Sequence, residues 1–185
     1  MSRRKRVLSL SEFVAGKSVS LVGNSARILR EKPGNKIDAA DVVIRMNRGL
    51  PMVTDASAVG SRTTVWATAK YWADLSIPDD CETVLWMKLT KLGEKQRPFM
   101  EHQCNIVSTP LLVWSRDYEE SCRSFVGADP GTGIRLLWWL RMVAHPRHVS
   151  CYGMDCWEDV SHWSGRKNTP NHSPTLERQA MLKLL

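Results

Sequence analysis

Short runs of apolar and β-branched residues recur along the chain and alternate with stretches of helical character. The runs lie at 18–23, 40–47, 62–69, 82–89, 103–110 and 147–153. Runs of this length that end near Gly or Pro predict strands, and strands that alternate with helices predict a parallel sheet. We therefore expect an α/β protein, a single Rossmann-like domain with a mostly parallel central sheet flanked by helices.

Three helices are predicted between and after these runs. One covers 25–34 and ends at Pro33-Gly34, and another covers about 133–144 and stops before Pro146. The second helix is apolar on almost every face, which is typical of a central, buried helix. A last helix is expected to begin near Pro174, because proline suits a first helical position.

Composition and length fit one soluble globular domain. The 185 residues are 43% hydrophobic and 24% charged, which is ordinary for such proteins. We expect the domain to cover 11–185, after a basic flexible tail at 1–10. No apolar run approaches the roughly 20 residues of a membrane span, and no secretory signal is evident, so a cytoplasmic location is expected. Five cysteines without a C-x-x-C pair favour reduced, mostly buried thiols over a disulfide framework or a zinc site.

The positive charge favours an anionic partner. Net charge is +7, and four consecutive basic residues stand at 3–6. These residues form either a solvated tail or a weak contact with an anionic membrane, worth about 1 kcal/mol per basic residue. The remaining positive charge is spread along the chain, and no nucleic-acid motif occurs, so a nucleic-acid partner is not expected.

The turn Gly23-Asn24-Ser25 follows the first predicted strand and opens a helix. Glycine lets the backbone approach a ligand closely, and the N–H groups after it can form an anion site. Neither the G-x-G-x-x-G fingerprint nor a G-x-x-x-x-G-K-[ST] loop is present. Ser25 is not favoured as a hydrolase nucleophile, because the G-x-S-x-G elbow is also absent.

A second candidate anion site is the segment 129–133, Asp-Pro-Gly-Thr-Gly, at the start of the buried helix. An ordinary capped helix start is the alternative for this segment. Arg45-Met46-Asn47 ends the second predicted strand. The carboxyl ends of parallel strands share one edge of a sheet, so all three segments together favour a phosphate-bearing ligand.

His172 stands just ahead of the last predicted helix, in TPNHSPTLERQ. Its neighbours Asn171, Ser173 and Thr175 can cap that helix, and Glu177 suits its first turn. Imidazole, with a pKa near about 6.5, also suits a catalytic base. The residues alone leave both roles open.

These segments together resemble the sialyltransferases. LVGNSARILREKPGNKIDAADVVIRMNRG is similar to the long donor-binding motif of that family, and DPGTGIRLLWWLRMVAHPRHVSCYGMD is similar to its short motif. His162-Trp163 is a loose match to the third motif, and His172 and Glu177 have the H-x-x-x-x-E spacing of the fourth. The four motifs follow the family's order and extend from about residue 18 to 180.

The resemblance implies the sialyltransferase variant of the GT-A fold and assigns roles to residues. It makes His172 the base for the acceptor hydroxyl and His162 a group that steadies charge on the departing phosphate. Supporting roles fall to Glu177, Arg45 and Asp155. The implied donor-binding residues are Gly23, Asn24, Ser25, Asn47, Gly131, Thr132, Gly133, Tyr152 and Gly153.

The implied reaction transfers sialic acid, or the related acid Kdo, from a cytidine monophosphate (CMP) sugar to a hydroxyl of an oligosaccharide or glycolipid, with inversion. The leaving group is a phosphate monoester with a second pKa near about 6, and no D-x-D pair is present. We therefore expect neither a cofactor nor a metal ion. The alternative is a catalytically degenerate protein that binds CMP or an acidic glycan.

Two departures from the family pattern are informative. The cysteine pair that joins the long and short motifs in animal enzymes has no counterpart in SVSLVGNS or VAHPRHVS, which suggests a bacterial-type member in a reducing compartment. Gly131 stands where the short motif usually has Ser or Thr, so one hydroxyl contact to the donor is missing.

Overall fold

A parallel sheet is the centre of the computed structural model, which describes residues 9–49, 55–88, 90–155 and 173–185. The described strands are β1 (Ser18–Val22), β2 (Val42–Met46), β3 (Val65–Thr68), β4 (Thr83–Trp86), β5 (Leu111–Val113) and β6 (His148–Tyr152). They form one sheet in the order β5-β4-β3-β2-β1-β6, and every neighbouring pair is parallel. The predicted fold class is therefore confirmed.

Helices connect the strands and cover both faces of the sheet. The described helices are α1 (Leu10–Val14), α2 (Ile28–Glu31), α3 (Gly34–Asp38), α4 (Ala56–Val59), α5 (Lys91–Ile106), α6 (Arg116–Val126), α7 (Thr132–Trp139) and α8 (Pro174–Leu184). A π-helical turn, Leu140–Ala144, continues α7. None of the helices in the described ranges is long and apolar enough to cross a membrane.

Alternate side chains of the strands pack on opposite faces of the sheet, in three apolar clusters. On one face, Val19 and Leu21 of β1 pack in the largest cluster together with residues of α1, α6, α7 and α8. On the other face, Val22 and Val43 pack with α2, α3 and α4, and Trp66 and Trp86 pack with α5. Burial on both faces explains why β1, β2, β3 and β4 have nearly continuous apolar sequences.

The strand order reverses direction beside β1. After β1 the chain adds β2, β3, β4 and β5 on one side, and it returns to add β6 on the other side. In a doubly wound sheet, the loops that leave such a switch point diverge and open a crevice at the carboxyl ends of the strands. The ends of β1 and β6 therefore mark the expected ligand position.

The predicted strand at 103–110 is wrong. Residues up to Ile106 belong to α5, and the strand is Leu111–Val113, after Pro110. The β-branched pair Ile106 and Val107 favours a strand locally, but both side chains are exposed. Met100 and Cys104, one helical turn apart, are buried instead, so helical spacing decided this segment.

Two other helical segments differ from the sequence prediction. The helix predicted at 25–34 is shorter, and Pro33-Gly34 starts α3 instead of only ending α2. A Cβ on Gly34 would lie 2.0 Å from the Ala56 carbonyl oxygen, so this glycine permits the close packing of α3 on α4. The predicted central helix is confirmed as α7 and its π-helical turn, and its residues Trp138 and Trp139 are buried.

Candidate functional site

The predicted donor-binding segments meet at the carboxyl edge of the sheet, around the switch point. Residues 23–25 follow β1, residues 47–49 follow β2, and residues 153–155 follow β6. The first turn of α7 lies over the same edge, because a Cβ on Gly133 would contact Met46 at the end of β2 and Met154 just after β6. Four segments that are distant in sequence thus form one site.

The backbones of Gly23 and Gly153 are in direct contact. The Gly23 N–H donates to the Tyr152 carbonyl (2.7 Å), and the Ser25 N–H donates to the Gly153 carbonyl (3.0 Å). A Cβ on Gly23 would lie 2.2 Å from the Gly153 carbonyl oxygen. Gly153 has φ of +59°, which glycine adopts without strain. Both glycines are therefore needed to hold the two strand ends together.

Ser25 uses its hydroxyl within the protein. The Ser25 Oγ donates to Asp155 Oδ2 at 2.5 Å and accepts from the Arg27 N–H at 3.2 Å. The side chain is only 4% exposed, and a hydroxyl has a single proton. In this arrangement Ser25 and Asp155 tie the loop after β1 to the loop after β6, and they do not offer the hydroxyl proton to a phosphate.

Asn24 presents a polar group at the centre of the site. Its Nδ2 donates weakly to the Met46 carbonyl (3.4 Å), and its buried Oδ1 has no hydrogen-bond partner among the described residues. A Cβ on Gly49 would lie 2.1 Å from that oxygen. A buried acceptor without a donor costs stability, so Oδ1 is suited to receive an N–H or O–H of a ligand.

Asn47 connects β2, β3 and α7. Its Oδ1 accepts from the Ala69 N–H (3.0 Å), and its Nδ2 lies 3.4 Å from Thr132 Oγ1. The backbone of Asn47 is left-handed, with φ of +51°, a conformation that asparagine tolerates better than most residues. Because Oδ1 is anchored by a backbone donor, the amide N–H groups are directed to Thr132 and the site.

The N-terminus of α7 is held by a residue from the last helix. Gly131 is the N-cap and receives no side-chain cap from its own helix, but its N–H donates to Glu177 Oε1 of α8 at 2.7 Å. Glu177 is buried, with 3% exposure. A Cβ on Gly131 would lie 3.2 Å from both carboxylate oxygens. Glu177 therefore caps α7, whereas the sequence placed it in the first turn of its own helix, in a supporting role.

Arg45 is buried inside the protein. Its side chain has 0% exposure, and it donates to the carbonyls of Val59 (2.6 Å) and Arg62 (2.8 Å). Burial lowers the pKa of the guanidinium to about 10, partly opposed by the charges of Asp38 and Asp80. Arg45 thus supports the segment 59–62, consistent with a supporting role and not with ligand contact.

The other predicted residues divide between the described and undescribed parts of the chain. Tyr152 is half-buried and packs against the apolar cluster that contains Val22 and Ile28. The two predicted catalytic residues, His162 and His172, lie outside the described residues. The described chain resumes at Ser173, whose carbonyl accepts from the Glu177 N–H at 3.0 Å.

A cluster of cationic and aromatic side chains, which the sequence did not predict, lies on the same carboxyl edge of the sheet. The Arg48 guanidinium carbon and Lys70 Nζ lie 4.6 and 5.0 Å from the ring centre of Trp72. Arg48 directly follows Asn47, and Lys70 lies two residues after β3. The available signal was a pair of basic residues just after two predicted strands, beside an aromatic residue.

Comparison with known proteins gives a family match and a fold match. The family model of glycosyltransferase family 29 (sialyltransferase) matches residues 15–74. The crystal structure of a mammalian sialyltransferase superposes with a TM-score of 0.66 at 19% identity, covering 94% of this chain and 67% of that one. The structure of a mammalian sialyltransferase in complex with Gal-beta-1-3GalNAc-ortho-nitrophenol gives a TM-score of 0.70 at 17% identity, covering 94% and 68%. No curated protein matches the chain.

The chain has the α/β fold of these two solved structures. The family match over residues 15–74 covers β1, β2, β3 and the turns that follow β1 and β2. It confirms the recognition of the sialyltransferase family made from the motifs, and with it the class of enzyme, a glycosyltransferase.

Proposed function

We propose that this protein is an inverting, metal-independent transferase that moves sialic acid, or the related acid Kdo, from its CMP donor to a glycan hydroxyl. The main supporting observation is that Asn47 Nδ2 lies 3.4 Å from Thr132 Oγ1. This contact lies at the start of α7, a helix whose N-cap residue supplies no side-chain cap. Family 29 membership over residues 15–74 makes the phosphate of a CMP-sugar the ligand to expect there.

The donor phosphate is assigned to the N-terminus of α7. The first N–H groups of a helix have no intrahelical partner, and the helix dipole favours an anion at that end. Thr132 adds a hydroxyl donor and Asn47 adds amide N–H groups. The buried Oδ1 of Asn24 is assigned to a hydroxyl or N–H of the nucleoside. Gly133 keeps the helix start open, because a Cβ there would lie 3.1 Å from the Met154 methyl carbon.

The reaction needs few groups when the leaving group is CMP. A phosphate monoester departs as a stable anion, so hydrogen bonds fixed before the reaction can stabilise the developing charge. Removal of the acceptor proton requires a base with a pKa near the working pH, which contributes about 10²- to 10⁴-fold. We assign the base to His172 and the stabilisation of the departing phosphate to His162.

The position of α8 supports the assignment of His172. Glu177 in the first turn of α8 bonds the N-cap of α7, and Ser173, one turn earlier, bonds back to Glu177. The residue that follows His172 is thereby tied to the helix that we assign to the phosphate. This link is the physical reason for the H-x-x-x-x-E spacing in our proposal.

CMP release from CMP-sialic acid and from CMP-Kdo, measured with EDTA present, tests the proposal. Wild-type protein is expected to release CMP in EDTA with one donor preferred, and His172→Ala is expected to reduce transfer at least about 100-fold, as for a lost general base. His102→Ala is the matched control, because His102 is exposed on α5. Loss of activity in EDTA, restored by added metal, would contradict metal independence.

Asn47→Asp tests the donor site separately. Aspartate keeps the acceptor for the Ala69 N–H but replaces the amide donors with a negative charge that repels a phosphate. The KM for the donor is expected to rise at least about 10-fold, which corresponds to about 1.4 kcal/mol. An unchanged donor KM would remove Asn47 from the phosphate site.

The alternative function is a degenerate protein that binds CMP or an acidic glycan without turnover. Binding of CMP, measured by calorimetry, with no release from either donor would favour it. Absence of CMP binding would contradict the transferase function and the CMP-binding form of the alternative. We further propose a cytoplasmic protein, with an oligosaccharide or glycolipid acceptor and a weak peripheral membrane contact through the basic residues 3–6. Co-sedimentation with anionic vesicles, lost when these residues are neutralised, tests that contact.

A further inference from the structure

We propose that Arg48, Lys70 and Trp72 form a subsite that receives an anionic group, a carboxylate or a phosphate, of the acceptor glycan. The inference rests on the proposed transferase function and adds a preference for acidic acceptors. It concerns Arg48 after β2 and the loop after β3, side chains of the sheet edge that the donor assignment leaves unused.

Trp72 is held in place by a buried hydroxyl. Its Nε1 donates to Thr68 Oγ1 (3.2 Å), which also accepts from the Lys70 N–H (3.3 Å) and donates to the Lys70 carbonyl (2.6 Å). Thr68 has 0% exposure, so its hydroxyl makes these hydrogen bonds out of contact with water. The ring, together with the Lys70 backbone, is therefore fixed before any ligand binds.

Two cations lie near this fixed ring, and among the residues that the structure describes one carboxylate forms an ion pair with them. Arg48 and Lys70 each lie within 5.0 Å of the ring centre, so they are separated by no more than about one Debye length, about 10 Å in 0.1 M salt. Asp74 forms an ion pair with Arg48. Lys70 is exposed and forms no ion pair with another residue of the described ranges. The cluster therefore carries an excess positive charge suited to one further anion.

Packing explains the position of the tryptophan but not that of the cations. Trp72 and Tyr71 contact the apolar cluster of Trp66 and Trp86. This contact accounts for the half-buried ring. It places no requirement on a second cation, because a cation–π contact at an exposed site gains only a modest energy. An arginine that is 19% exposed beside an exposed lysine instead resembles an open site for a carboxylate or phosphate.

The cluster adjoins the donor site on the side of β3. Arg48 follows Asn47, and Lys70 follows Ala69, whose N–H bonds Asn47 Oδ1. The carboxylate of a CMP-linked acidic sugar is bonded to the same carbon as the phosphate oxygen. It therefore stays close to the phosphate that we assign to α7, while the cluster extends along the loop to Trp72. Because both anionic groups of the donor are assigned near the N-terminus of α7, we assign the anion of this subsite to the acceptor.

The test compares pairs of molecules that differ in one anionic group. Transfer is measured to a glucoside, the corresponding glucuronide and the corresponding glucoside 6-phosphate. Binding of methyl glucoside, methyl glucuronide and methyl glucoside 6-phosphate is measured by ligand-observed NMR with CMP present. Wild-type protein is expected to prefer the anionic members, and Lys70→Gln is expected to reduce that preference about 10-fold, as for a lost charge-assisted hydrogen bond.

Lys70→Arg restores the preference if charge is the cause. Lys95→Gln removes one charge from the exposed face of α5 and is expected to keep the preference. The carboxylate and phosphate arms identify the preferred anion. An equal effect of Lys70→Gln on neutral and anionic ligands overturns the proposal, as does a selective rise in the KM for the donor. Anion-selective binding without any CMP release upholds the subsite and contradicts the transferase function instead.

Discussion

Replacement of Glu177 tests the contact that joins the last helix to the donor helix. In the wild-type protein the Gly131 N–H donates to Glu177 Oε1 at 2.7 Å, and Glu177 is only 3% exposed. In Glu177→Ala this buried N–H loses its acceptor. Hydrogen bonds to charged groups contribute about 1.5–3 kcal/mol, and an unsatisfied buried donor adds to the cost. We expect the free energy of unfolding to fall by about 3 kcal/mol, which lowers Tm by about 6–12 °C for a chain of this size.

Glu177→Gln separates the charge from the hydrogen bond. The amide oxygen of glutamine can still accept from Gly131, so we expect a loss of only about 1 kcal/mol. Glu101→Ala is the exposed control, because Glu101 pairs with Arg97 on the surface of α5 and such pairs contribute about 0–1 kcal/mol. Urea unfolding followed by tryptophan fluorescence measures all three. A cost for Glu177→Ala no larger than that of Glu101→Ala would refute the reasoning.

A double-mutant cycle with Gly131 tests the same contact from the other side. The backbone of Gly131 (φ −68°, ψ 161°) suits any residue, so the cost of Gly131→Ala arises from the Cβ at 3.2 Å from the Glu177 oxygens. That cost is expected to fall in the Glu177→Ala background, giving an interaction energy of about 1 kcal/mol. Additive effects would mean that the two residues do not crowd each other. If the kcat of Glu177→Ala is lower than that of the wild-type protein at a temperature where both are fully folded, Glu177 is a positioning residue for the reaction.

Three further predictions concern residues beneath the site. Gly23→Ala places a Cβ 2.2 Å from the Gly153 carbonyl oxygen and is expected to lower the free energy of unfolding by more than about 3 kcal/mol, an exceptional value for one methyl group. The control Gly127→Ala, at φ +79° with open space around it, should lower it by about 1 kcal/mol. Equal losses of stability would refute the steric argument. Arg45→Lys leaves one of two buried carbonyls without its donor and is expected to lower the free energy of unfolding in urea by about 2 kcal/mol. An unchanged stability would mean that the two N–H donors of the guanidinium are not both needed. Burial raises the pKa of Asp38, but hydrogen bonds from Ser61 and the Arg62 N–H outweigh this effect and lower the pKa below 3.8. The carboxylate therefore contributes stability above pH 3.8 that is lost as pH falls through the folded pKa. Asp38→Asn should weaken the dependence of the free energy of unfolding on acid pH, and an unchanged dependence would contradict the assignment.

Local patterns predicted those parts of the chain where sequence and burial agree. β1, β2, β3 and β4 are buried on both faces, so their apolar runs identified them without knowledge of their partners. β6 is only partly buried, with Val149 as its one buried residue, and it was identified by its position before Gly153. The prediction for β5 was wrong in position because Pro110 and the β-branched pair Ile106-Val107 gave a local strand signal. The periodicity of Met100 and Cys104 on α5 was the weaker signal, although it matched the burial.

The roles of individual site residues were less predictable than the site itself. The placement of Asn24, Asn47 and Thr132 on one edge follows from the rule that parallel strands share their carboxyl ends. The partner of each group did not follow from the sequence. Ser25 bonds Asp155, which is 130 residues away in the chain, and only the strand order could bring the two together.

The sequence by itself determined that this is an α/β protein with glycine-rich turns after its strands, and four ordered motifs were enough to indicate the sialyltransferase family. Those features are local, because a strand, a turn or a helix start is encoded within a few neighbouring residues. The tertiary structure decided that Glu177 caps α7, that Arg45 is buried against the carbonyls of Val59 and Arg62, and that Arg48 and Lys70 meet at Trp72. These contacts depend on which strands are neighbours and which faces the helices cover, and no single segment of the chain carries that information.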